Sequence, residues 1–264
     1  PPLPLNTAHI YNVAVTFGYV FPLYLMKHTR LSFSASPSAG VGRERVKQPE
    51  ERWRDDPSVI KARLLSASIS TAVACGWAYA VIRYIWKSYI PDAPSWSFIK
   101  PRLGLTLSGD TIPAYLVTPA LFMGPLYVRH LQGELPFRRW TFRDVRDTFF
   151  TWTGFRNFVV GPVTEELVWR SCIIAIYHLA GVSRNFLIFF TPISFGAAHL
   201  HHGWEAYCRY GQTRQALQRA IIVTLFQFTY TTLFGFHCAF LFLRTNSVFP
   251  PIAAHVFCNL MGVP

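Results

Sequence analysis

The chain has 264 residues, of which 51% are hydrophobic, 16% aromatic and only 14% charged. Soluble domains carry about 25% charged residues, and the apolar residues here fall in long runs, so the composition points to a bilayer rather than a water-facing surface. The net charge of +12 would also suit a nucleic-acid binder, but the basic residues sit between the apolar runs, the pattern of membrane topology, so no nucleic-acid partner is expected.

A bilayer span needs about 20 mostly apolar residues. Read in chain order, the candidate spans are Ala8 to Met26, Ala67 to Trp86, Thr111 to Val128, Thr148 to Leu179, Phe186 to His199, Ile221 to Leu243, and a seventh that starts near Val248 and is cut off at Pro264. The expected fold is all-α, a polytopic transmembrane bundle of about seven to eight membrane helices around a buried active site. One domain covers 1–264. The fourth region is too long for one straight span, and Gly161-Pro162 should kink or restart it. Lys27 to Arg63 is a polar connector, and its Arg52 to Arg63 half, with Trp53, Val59 and Ile60 among basic residues, reads as an amphipathic interfacial helix. Pro91 to Asp110, rich in Pro, Ser and Gly, reads as a loop. The connectors after spans one, three and five hold most of the Lys and Arg. That side is expected to be cytosolic, with the N-terminus lumenal.

The cysteines Cys75, Cys172, Cys208, Cys238 and Cys258 form no C-x-x-C pair and read as small buried hydrophobes. No cleavable signal peptide is evident, the chain opens on Pro1-Pro2 without an initiator Met, and it has no C-terminal prenylation motif of its own.

Ionisable groups inside a span are costly and by default mark function. Glu165, Glu166 and Arg170 lie together in Gly161-Pro-Val-Thr-Glu-Glu-Leu-Val-Trp-Arg170. In a helix Glu166 and Arg170 share a face, which a buried ion pair explains without catalysis. Glu165 is rotated about 100° away and is left without that explanation. Pro162 in a first turn would put Glu165 near a helix N-terminus, where the dipole favours the carboxylate form. An ionised carboxylate in a partly dry site can act as a general base on water. The alternative is a charge network that only braces two helices.

The second cluster is Phe195-Gly-Ala-Ala-His-Leu-His-His202. His199 and His202 can share a helical face while His201 points elsewhere. An interfacial role is open for each histidine and is the favoured reading for His201 and His202. Zinc is conceivable, but neither an H-E-x-x-H helix nor a cysteine pair at ligand spacing is present, so no metal or other cofactor is expected. The third cluster places His255 and Asn259 four apart on the last apolar run, started by Pro250-Pro251. Two convergent donors are what an oxyanion needs, and interhelical hydrogen bonding is the alternative. No G-x-S-x-G elbow occurs, and Ser194 and Cys258 have no better support as nucleophiles than helix packing.

Taken together, Glu165-Glu166-x-x-x-Arg170, Phe195-x-x-x-His199 and His255-x-x-x-Asn259 resemble the signature of the type II CAAX prenyl endopeptidases, within a wider group of membrane proteins that includes bacteriocin-processing members. The strings Ala198-His-Leu-His-His202, Asn259-Leu-Met-Gly-Val-Pro264 and Arg54-Asp-Asp-Pro-Ser-Val-Ile-Lys61 are similar to the eukaryotic enzymes in particular. The resemblance implies a multi-pass protease of the endoplasmic reticulum membrane whose site opens toward the cytosol. Such an enzyme removes the last three residues from farnesylated or geranylgeranylated CAAX proteins such as Ras-like GTPases, without a metal. Glu165 would activate water, His199 would assist, His255 and Asn259 would stabilise the oxyanion, and Glu166 and Arg170 would support the site. The lipid bilayer is the other partner. Family members continue into another apolar span, so one is expected beyond Pro264. A zinc protease on the same scaffold and a non-catalytic scaffold that binds prenylated tails are the competing readings.

Overall fold

In the computed structural model, residues 2–34, 44–87, 95–107, 112–135, 137–138 and 140–262 are described. They are helical without a strand, apart from one isolated antiparallel bridge between Ser32 and Arg52 in the polar connector. The first apolar run forms α1 (Leu5–Val20) and one further turn, α2 (Pro22–Leu25). They divide at Phe21-Pro22, where proline has no N–H to continue the ladder.

α3 (Pro57–Lys87) has 31 residues and begins on a proline, which suits a first helical position. The interfacial helix expected over 52–63 is therefore not a separate element. Its Pro57-to-Arg63 half forms the first turns of the second span, because no Gly or Pro interrupts 58–75. The connector before it is pinned by Glu51, which accepts hydrogen bonds from the Ser34 hydroxyl at 2.6 Å, the Gln48 N–H and the Trp53 indole, and pairs with Arg45. Burial would raise this carboxyl, but those donors outweigh it and hold it down to about 2.

Inside the loop expected over 91–110, residues 95–102 instead form α4 (Ser95–Arg102). The rest of that loop includes 91–94 and 108–110, which lie outside the described residues. Tertiary packing overrides the loop composition here. Trp86 meets Phe98 edge-on at 4.6 Å, and the Arg102 guanidinium lies over both rings.

The third run divides at Phe122 into α5 (Ile112–Leu121) and α6 (Met123–Gln132). α7 (Phe142–Phe149) starts on a capping box of Thr141 and Asp144. The long fourth region neither kinks apart nor restarts at Gly161-Pro162. α8 (Trp152–Phe155), a π-helical Arg156–Val160, α9 (Gly161–Glu166), a second π segment Leu167–Ile173 and α10 (Ile174–Leu179) follow without a break. The fifth run divides at Phe190 into α11 (Arg184–Phe189) and α12 (Thr191–Ala198). α13 (His202–Arg209) follows, and then α14 (Arg214–Thr245), capped by Thr213 and ended by Asn246 in the left-handed region at φ 49°. α15 (Phe249–Leu260) carries Pro250-Pro251 in its first turn, as expected.

Two helices among the described residues, α3 and α14, are long and apolar enough to cross a bilayer alone. Their apolar windows are only 28% and 22% buried within the protein. A core helix of a soluble protein would be mostly covered, so the outer faces of these two suit lipid. The all-α expectation holds. The seven to eight spans do not appear as that many long apolar helices, because prolines and local breaks divide the first, third and fifth runs, α15 is short, and the continuous helix 152–179 carries Glu165, Glu166 and Arg170.

The core lies where α1, α3 and α12 meet the segment 152–179, with Tyr11, Ala74, Ala78, Trp169, Ile173, Tyr177 and Phe195 buried in it. The Tyr11 hydroxyl donates to the Ala74 carbonyl at 2.8 Å. α12 and α14 approach closely through Gly235, where a Cβ would stand 2.6 Å from the Pro192 ring and 3.5 Å from an Arg170 nitrogen. Small residues at such crossings let membrane helices approach. Gly235→Ala is expected to destabilise the protein by about 1–3 kcal/mol, read as a lowered unfolding midpoint in detergent. An unchanged midpoint would show that the crossing relaxes freely.

Candidate active site

The site is built on the continuous helix 152–179. In the first π segment the Gly161 N–H bonds back to the Arg156 carbonyl, five residues earlier. By that register the Asn157 carbonyl awaits the N–H of residue 162, which is proline and has none. The orphaned acceptor is filled from α15, where Asn259 Nδ2 donates to the Asn157 carbonyl at 2.7 Å. The Thr164 hydroxyl donates to the Val160 carbonyl at 2.7 Å and also meets the Tyr19 hydroxyl at 2.9 Å. A π segment of this kind re-aims the side chains that follow it. It also removes the helix N-terminus expected beside Glu165, since Pro162 lies inside a continuous helix.

Glu166 is fully buried. Its Oε2 is 3.0 Å from Arg170 Nε, and its Oε1 is 2.9 Å from His255 Nδ1. The Arg170 pair is an ion pair outside hydrogen-bond alignment, and the guanidinium lies over the Phe195 ring at 4.5 Å. A carboxylate only accepts, so His255 Nδ1 carries the proton. His255 Nε2 then faces Glu165, 3.9 Å from its Oε2. His199 donates Nδ1–H to the Phe195 carbonyl at 2.8 Å, which leaves its Nε2 lone pair free.

Glu165, His199, His255 and Asn259 all line one cavity of about 530 Å³, whereas Glu166 and Arg170 stand behind it. The expected six residues are thus brought together in two layers. The link from Glu166 to His255 was missed, because spacing along the chain shows only the Arg170 partner. His199 and His202 do not share one helix face, since α12 ends at Ala198 and α13 begins at His202. His201, expected to point elsewhere, lines the same cavity, and its Nδ1 donates to the Ala198 carbonyl at 2.7 Å. The turn between the helices is what gathers all three. Tyr19, Arg63, Arg156 and Trp169 also line the cavity and carry no motif of their own, and Arg54 joins them from the Arg54–Lys61 string. Among the described residues, no three His, Cys, Asp or Glu side chains converge as metal ligands.

Over 214 residues the chain is 37% identical to the probable CAAX prenyl protease 2 of Schizosaccharomyces pombe, a match covering 80% of this chain and 70% of that protein. The chain belongs to the type II CAAX prenyl endopeptidase family. A family model described as type II CAAX prenyl endopeptidase Rce1-like matches residues 147–261. The CAAX prenyl protease 2 of Caenorhabditis elegans is 31% identical over 217 residues, 80% of this chain and 74% of its own. That of Arabidopsis thaliana is 49% identical over 109 residues, 41% of this chain but 34% of its own. No solved structure matches the chain. The family model's region contains Glu165, Glu166, Arg170, Phe195, His199, His255 and Asn259, while the opposite cavity wall, from α1 and α3, lies outside it.

Removing one member of a buried pair leaves an uncompensated charge, at a cost of about 3–5 kcal/mol. Arg170→Leu is therefore expected to destabilise the fold by that order, and Arg170→Leu/Glu166→Gln by clearly less, in unfolding measurements on the purified protein. Equal losses would mean that the Glu166 charge is met by other groups.

Proposed function

We propose that this family member is an intramembrane endopeptidase that releases the C-terminal tripeptide from farnesylated or geranylgeranylated CAAX proteins, such as Ras-like GTPases. The observation that carries the reading is the cavity in which the Glu165 carboxylate, the free Nε2 of His199 and the His255/Asn259 face meet. The relatives' names supply the substrate class.

Glu165 is the base. It takes a proton from a water that attacks the scissile carbonyl, and His199 Nε2 accepts a second hydrogen bond from that water and orients it. His255 Nδ1–H is committed to Glu166, and with that carboxylate as counter-charge a protonated Nε2 donates to the oxyanion. Asn259 spends one Nδ2 hydrogen on the Asn157 carbonyl and keeps its other for the same oxyanion. The proton held by Glu165 then passes to the leaving amine. Glu166 and Arg170 position His255 and do not touch the reacting atoms. The exposed apolar faces of α3 and α14 support a site within the bilayer. Arg54, from the basic connector before α3, lines the cavity and supports a cytosolic opening, and the family resemblance supports the endoplasmic reticulum membrane.

Glu165→Ala and His255→Ala are expected to cut tripeptide release from a farnesylated peptide by about a hundredfold or more while the protein stays folded. Near-normal turnover by Glu165→Ala would sink the mechanism. Elemental analysis of the active enzyme tests the metal-free form of the reaction, and loss of activity with removal of a stoichiometric metal would replace it with a metalloprotease.

A further inference from the structure

The string Arg54-Asp-Asp-Pro-Ser-Val-Ile-Lys61 has no part in the chemistry above, yet it forms a wall of the same cavity. Arg54 precedes α3, Arg63 lies in its second turn, and Arg156 opens the first π segment, and all three line the cavity with Glu165. Their partners differ. Arg156 is neutralised, with its Nη1 2.9 Å from Asp55 Oδ1 and its Nε donating to the Asn157 side chain at 2.8 Å. Arg63 donates only Nε, to the Thr29 carbonyl at 2.9 Å, and its terminal nitrogens make no hydrogen bond among the described residues. The Arg54 side chain makes no hydrogen bond or ion pair among them. Glu205 of α13 shares a second, smaller pocket with Arg63 and attracts it through space, but its contact at 3.5 Å is with Arg209. Among the described residues, therefore, two guanidiniums border a water-accessible cavity with no carboxylate in hydrogen-bond or ion-pair contact with either. Like charges gathered in this way repel each other, and an anionic ligand relieves the repulsion.

We infer that Arg54 and Arg63 bind the free α-carboxylate of the substrate tail, so that the enzyme measures the distance from the chain end to the scissile bond. This rests on the peptidase reading above and names what sets its specificity. A guanidinium matches a carboxylate bidentately. Three extended residues reach about 10 Å, the span the anchor requires between these guanidiniums and Glu165, which line the same cavity. A carboxylate fixed there leaves the third peptide bond from the end at the base, and a chain that continued past the cavity would lack the anchor. Arg156, with Asp55, holds this wall to the helix that carries Glu165 and is a positioning residue.

The test compares two farnesylated peptides of identical sequence, one ending in a free carboxylate and one in an amide, with the full-length protein in membrane vesicles. The wild type is expected to cleave the acid with kcat/KM at least about tenfold above the amide, chiefly through KM, since one charge-assisted contact is of that order. Arg54→Gln and Arg63→Gln are expected to lower kcat/KM for the acid by about tenfold or more and to leave the amide near its wild-type value, which also shows that the variants fold. Arg63→Lys is expected to keep part of the preference. Equal cleavage of acid and amide by the wild type, or equal loss on both substrates in the variants, would overturn the inference and leave the peptidase reading standing. Failure of the wild type on both peptides would remove that reading and the inference with it.

Discussion

One buried carboxylate organises this protein. Glu166 has no access to solvent, and a bare charge there would cost several kcal/mol. It is tolerable because Arg170 meets one oxygen and His255 the other. The first partner belongs to its own helix and the second to α15, so the compensation of a single charge ties the last helix to the long helix 152–179. Phe195 from α12 closes the arrangement over the guanidinium, and Gly235 of α14 leaves the room for it. Four elements are thereby referred to one point, and Glu165, the next residue, inherits its position from them.

A second constraint acts through what is missing. Pro162 cannot donate, and the π register before it has already drawn the Gly161 N–H to Arg156. The carbonyl of Asn157 is left open, and a buried carbonyl without a donor is destabilising. Asn259 answers it. The same side chain thus repairs the backbone of the helix that carries Glu165 and borders the cavity. Asn157 also receives Arg156, which reaches Asp55 in the connector. A chain of polar contacts consequently runs from the connector before α3, through the π segment, to α15.

The helical class, the placement of charge between apolar runs and the three clusters of polar residues were legible from residue order. Apolar runs and i, i+4 spacings are local properties, and the pairing of Glu166 with Arg170 is of that kind. Other features were not legible, for reasons that can be named. The loop composition of 91–110 did not predict α4, which stands because Phe98 and Arg102 pack against Trp86 of α3. Gly161-Pro162 read as a break because a proline ordinarily ends an α-helical ladder, whereas a π turn with a side-chain donor from elsewhere lets the helix run on. His201 was set aside on helical periodicity, which does not apply across the turn between α12 and α13.

By itself, then, the amino-acid order determined the class of fold and the identity of the polar residues that membrane burial makes costly. These follow from hydropathy and short spacings, which need no knowledge of distant neighbours, and the same order carried the three motifs by which the chain resembles its family. Only the tertiary structure decided which carboxylate faces the cavity and which is walled in, that His255 hangs from Glu166, that Asn259 mends the helix beside Glu165, and that Arg54 and Arg63 stand at the same opening. Each of those is a contact between residues far apart in the chain, and its energy depends on the burial and orientation that packing alone supplies.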